Sequence, residues 1–218
     1  MPMPIVKPLL FRFFAFALAY FLMLWVFKTA PMQAFSAKAL SRVSENSMSL
    51  LLPKGYIRVR EVESEANRGE YNLDVFFGNK EKALAQMEQA KKSGLSTASL
   101  DLHTFQIKME EFFLLPIIFF LALVLITPAR PMRKLSGAAL GLLLLLVFFS
   151  LKLTCFTLYN FSSFPVGVYE WKGWPLQFVT VVHNYVKMGA GVLLASLVWA
   201  LVIFRHSDWR AILQRFGA

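Results

Sequence analysis

The sequence predicts an all-α polytopic membrane protein with four transmembrane helices and a small extracytoplasmic α+β domain. Three observations lead there. The chain of 218 residues is 57% hydrophobic with 22 Phe, and its mean hydropathy of +0.54 lies outside the range of ordinary soluble domains. Apolar stretches recur at residues 9–27, 112–126, 137–159 and 176–204, as expected of segments that satisfy their own backbone and turn their side chains to lipid. The third observation is where the charge lies. A formal net charge of +10 would suit a nucleic-acid binder, yet residues 28–111 are nearly neutral, with 12 Lys or Arg against 11 Asp or Glu. The excess sits in Lys7, Arg12, Arg130, Arg133, Lys134, Arg205, Arg210 and Arg215, opposed by Asp208 alone. Basic residues flanking apolar segments mark the cytoplasmic side of a membrane and do not make a nucleic-acid groove.

Residues 1–28 are expected to form a cytoplasmic amino terminus and the first span. The apolar run there is longer than a signal-peptide core, and Lys28-Thr29-Ala30-Pro31 is a poor cleavage site, so the helix is expected to be retained. Residues 29–111 are then extracytoplasmic. They open with an amphipathic helix whose stripe is Met32, Phe35, Ala39, Leu40 and Val43. Beyond Pro53-Lys54-Gly55, alternation at residues 56–63 and 71–77 predicts two strands, joined through a turn at Asn67-Arg68-Gly69. Asn79 is placed to cap a helix over residues 80–92, with Ala83, Leu84, Met87 and Ala90 as its inner stripe and Gly94 as its stop. A third strand is expected over residues 99–109, with a bulge near His103 to absorb a change of phase.

Residues 112–218 hold the other three spans. The turn 127–136 carries Arg130, Arg133 and Lys134 without an acid and is expected in the cytoplasm. An outer loop at 160–175 offers Tyr169, Trp171 and Trp174 as an interfacial belt, and the tail 205–218 returns to the cytoplasm with Arg205, Arg210 and Arg215. The predicted location is a cell inner membrane, with both termini inside and membrane lipid and a membrane-protein partner as the expected contacts. No cofactor and no nucleic acid are implied.

One polar cluster is a candidate site. Lys152, Cys155 and Tyr159 share a helical face near the outer end of the third span, and His183, Asn184 and Lys187 lie at a matching depth on the fourth. Ionisable groups at such a depth are costly enough to suggest a function. Three readings stand beside one another. The cluster packs or snorkels and has no chemistry, with no catalytic residue in the chain; Cys155 and His183 form a nucleophile and base; or Lys152 and Lys187 hold an anionic lipid or a peptide. Gly137 with Gly141, and Gly191 with Ala195, have the spacing of close helix packing, either within the chain or against a partner helix. His103 has no Cys or His neighbour at metal-ligand spacing. The single Cys155 rules out an internal disulfide, and no phosphate-binding glycine loop, paired intramembrane acid or zinc-protease motif is present.

Leu114-Leu115-Pro116, the run Phe119-Phe120-Leu121-Ala122-Leu123-Val124-Leu125-Ile126-Thr127-Pro128, the basic turn, the leucine-rich residues 140–149 and His183-Asn184-Tyr185 before a segment ending in Trp199 resemble the exosortase H-associated bacterial membrane proteins. That resemblance spans loosely the last hundred residues. It implies a non-enzymatic accessory or scaffold role beside an exosortase, a membrane transpeptidase that sorts C-terminally tagged proteins. Exosortases use a Cys, an Arg and a His at the outer face. Cys155 and His183 match two of these, but no Arg lies near them, which argues against this chain being a transpeptidase itself.

Overall fold

A computed structural model describes residues 6–63, 71–94, 99–187 and 190–203, with backbone alone for 6–9, 185–187 and 190. The chain is mostly helical with one small sheet. In order it forms α1 (Val6–Phe27), α2 (Ala30–Leu51), β1 (Gly55–Glu63), β2 (Tyr71–Asn79), α3 (Lys80–Lys92), β3 (His103–Lys108), a π-helical turn (Glu110–Leu114), α4 (Leu115–Ile126), α5 (Pro131–Ser163), α6 (Trp174–Lys187) and α7 (Ala190–Ile203). Two compact units result: Met1–Thr29, Glu111–Phe148 and Gly189–Ala218 make the first, and Ala30–Glu110 with Phe149–Met188 the second.

Two helices among the described residues are long and apolar enough to cross a membrane, Leu10–Phe27 and Pro131–Ser163, while Gly191–Ile203 is apolar but shorter. The expectation of four such helices is corrected by two local causes. The segment predicted as the second span opens with the π turn, leaving only 12 residues for α4. The segment predicted as the fourth is divided between α6 and α7, which belong to different units. The basic turn is shorter than predicted, because Pro131 already starts α5 with the fixed φ and missing N–H that suit a first helical turn. The outer loop also shrinks, to 164–173.

In the first unit, α1 packs on α4 through aromatic edges: Phe119 meets Phe16 at 5.3 Å and Tyr20 at 6.2 Å between ring centroids. Glycines let the other helices approach. A Cβ on Gly137 would lie 2.6 Å from Ile203 Cδ1, one on Gly191 2.6 Å from Pro116 Cγ, and one on Gly141 inside the ring of Phe120. Thr127 closes α4 by donating to the Leu123 carbonyl at 2.6 Å and accepts the Trp199 indole N–H of α7 at 2.9 Å.

The second unit is built on an antiparallel sheet in the order β1-β2-β3. Its register aligns Val59, Val75 and Phe105, and Ile57, Val59, Leu73, Val75, Phe77 and Ile107 are buried along one pleat. β3 pairs one-for-one with β2 from His103 onward. The expected bulge is therefore absent: the change of phase marks the start of the strand, and Leu102 before it packs over Gly78. The turn predicted at 67–69 lies outside the described residues. Asn79 caps α3 as expected, its Oδ1 accepting from the N–H groups of Glu81 and Lys82 at 3.0 and 3.3 Å. Only Ala83 of the predicted α3 stripe is buried, and Leu84 is exposed.

Helix α2 turns a rotated face inward, and of the predicted stripe only Leu40 is buried. Gln33, Ser36, Ala37, Leu40, Ser41, Ser44 and Met48 are buried, whereas Phe35 and Val43 are exposed. Small hydroxyl residues allow close approach and still bond, which the apolar-inside rule does not weigh. Glu45 of α2 accepts the outward Val59 N–H at 2.9 Å, and Ser41 donates to Glu61 at 3.1 Å, so α2 closes the β1 edge. On β3 the antiparallel alternation turns the backbone groups of Thr104 and Gln106 outward. No backbone group among the described residues meets them.

Around Phe77 the sheet meets α5, with ring centroids at 5.0 Å to Phe161 and 6.0 Å to Phe164. Phe161 also fills the space over Gly55. Tyr169 adopts a left-handed φ of 54° and turns inward, its hydroxyl accepting the Lys54 N–H at 3.0 Å and its ring packing on Phe161; Trp171 and Trp174 stay exposed. Replacing Tyr169 with Phe removes the acceptor but keeps the ring, and a loss of about 1 kcal/mol in thermal unfolding of the purified protein is expected.

Candidate functional site

The residues singled out on α5 and α6 all fall in the second unit. Two stripes of α5 organise them, because residues spaced three and four apart stand one above another. Ser150, Thr154, Thr157 and Phe161 form one. Ser150 donates to Ser47 of α2 at 3.2 Å, and Thr157 to the Met48 sulfur at 3.2 Å. Lys152, Phe156, Tyr159 and Ser163 form the other, roughly half a helical turn away. His183 of α6 lies against it, with its ring centroid 4.1 Å from Phe156 and 4.2 Å from Tyr159, the latter pair stacked. In its second half, α5 therefore stands between α2 and α6.

His183 and Tyr159 are brought together, and both His183 and Lys152 are only 7% exposed. Lys152 is enclosed by protein, not extended along the surface. Cys155 is half-buried on a flank between the two stripes. No hydrogen bond joins its thiol to His183 among the described residues. Asn184 is exposed. Lys187 ends α6, and its side chain lies outside the described set. His103 belongs to an aromatic cluster, stacked on Phe164 at 4.6 Å and facing Phe77, and no group of three metal-ligating side chains occurs among the described residues.

Phe156 was missed by the sequence reading, as were the hydroxyls Ser150, Thr154 and Thr157. The first was legible as the residue one turn from both Lys152 and Tyr159. The others repeat at helical spacing in an otherwise apolar run, the mark of a buried polar seam. Chemically, the imidazole of His183 is packed against two aromatic rings, those of Phe156 and Tyr159. The packing glycines Gly137, Gly141 and Gly191 have their surfaces occupied by Ile203, Phe120 and Pro116 of the same unit, and Ala195 is fully buried. The chain matches no protein-family model, no curated protein and no solved structure.

Proposed function

We propose that the chain is a non-enzymatic accessory or scaffold protein of a bacterial inner-membrane complex. It crosses the bilayer four times, with α1 and α5 as the long crossings and α4 and α7 as shorter ones. Both termini lie in the cytoplasm, as the basic residues near them and those around the start of α5, Arg130, Arg133 and Lys134, suggest. The partner class is an exosortase-type transpeptidase, and that part rests on the sequence resemblance alone.

The observation that carries the reading is the contrast between surface and interior. α1 exposes Phe11, Phe14, Leu18, Phe21 and Trp25, all more than 60%, a surface that suits lipid and not water. Inside, the imidazole of His183 faces aromatic rings instead of a thiol partner, which supports a structural role. Co-purification in mild detergent with identification of the recovered proteins tests the proposal. Cys155→Ala and His183→Ala, each at normal abundance, are expected to retain the partner and the biological output. Loss of output with the partner still bound points instead to a thiol enzyme, and recovery of no membrane protein removes the scaffold reading.

A further inference from the structure

Helix α5 is too long for a bilayer. Its 33 residues extend about 50 Å at 1.5 Å per residue, whereas a hydrocarbon layer of roughly 30 Å takes about 20 residues. Counted from Leu135, the first residue past the basic Arg133 and Lys134, that length ends close to Thr154. The exposed side chains stop within one turn of that place. Leu140, Leu143, Leu144, Val147 and Leu151 form a continuous apolar exposed face, and from Lys152 to Ser163 no large hydrophobic residue of α5 is exposed.

The division of the chain falls there as well. Its passages from one unit to the other lie at 29/30, 110/111, 148/149 and 188/189. Three of these lie beside a charged side chain at the end of a helix, in turn Lys28, Glu110 with Glu111, and Lys187. Charges at helix ends settle at the headgroups. Exposed composition separates the units too. Between Phe13 and Val26 on α1, between Ala139 and Val147 on α5, and between Leu193 and Leu201 on α7, every exposed residue is apolar, whereas α6 exposes Gln177 and Asn184 beside Trp174, Phe178 and Val181. An exposed amide among acyl chains has no partner for its hydrogen bonds.

We infer that acyl chains cover only the first unit: the outer headgroup plane crosses α5 at Leu151–Lys152, and α6 with the Cys155 and His183 region lies in the extracytoplasmic space. The inference rests on the membrane reading above but moves α6 out of the bilayer, where the apolar run 176–204 would have placed it. It leaves the strip Trp174, Phe178 and Val181 outside the acyl chains.

Single cysteines in a Cys155→Ser background test it, using the full-length protein in spheroplasts and a membrane-impermeant maleimide applied from outside. Gln177→Cys and Val181→Cys are expected to label, and Val147→Cys and Leu197→Cys to label at least roughly tenfold more slowly, because thiolate forms in water and not in hydrocarbon. Detergent should make all four reactive. Protection of all four positions overturns the inference and leaves a membrane protein whose last crossing runs through α6. Labelling of all four without detergent overturns the inference together with the membrane reading.

Discussion

Alanine at Gly141 is expected to lower the folded-to-unfolded ratio of detergent-purified protein about 100-fold, corresponding to a loss of about 3 kcal/mol. The added methyl would enter the ring of Phe120, with Cε2 only 2.6 Å away. Phe120 has no room to retreat, since it is fully buried, and Gly141 sits inside a continuous helix. Overpacking of this kind usually costs 1–3 kcal/mol by forcing rotamers and backbone to shift, and a rigid ring places Gly141 at the upper end. Thermal unfolding monitored by size-exclusion chromatography measures the effect. Shortening the ring by Phe120→Val in the same chain should recover part of the loss, since the two changes couple through one contact. Equal losses in the single and double variants would show that the glycine matters for some reason other than this contact.

Phe77→Ala should produce the second large effect, a loss of about 3–5 kcal/mol confined to the second unit. Phe77 is fully buried and joins strand to helix, with Phe105 at 5.8 Å and Phe161 at 5.0 Å between centroids. Removing it leaves a cavity at the junction of β2, β3 and α5 that planar rings fill poorly. The expected readout is rapid proteolysis of residues 55–108 while the apolar helices stay protease-resistant. Phe77→Leu retains most of the volume and should lose less than about 1.5 kcal/mol. An alanine variant as resistant as the parent would show that the sheet is held by other contacts.

Local chemistry made several elements readable in advance. Period-two alternation located β1 and β2 to within two residues at either end, and Asn79 and Gly94 bounded α3 because capping and left-handed φ are decided by one residue each. Long-range choices were not readable. α2 buries Ser36, Ser41 and Ser44, of which Ser41 bonds to the Glu61 carboxylate of β1, and nothing in the periodicity of α2 records that strand. The division between α6 and α7 was overlooked although Gln177, His183, Asn184 and Lys187 all fall in the α6 part of the run, while Gly191–Ile203 is apolar throughout. The candidate site was half legible: helical spacing put Lys152, Cys155 and Tyr159 on one face and matched their depth to His183, without fixing which side chains meet. The placing of Phe156 against His183, and the lack of a bond from Cys155, depended on the rotation of two helices about their axes.

One strand boundary has a consequence for assembly. The sheet is closed along β1 by the Glu45 carboxylate, which occupies the Val59 N–H where another strand would dock. It therefore has a valence of one. Two copies joining through Thr104 and Gln106 would each turn a blocked side outward, so such a union terminates at a pair and cannot propagate into a fibre.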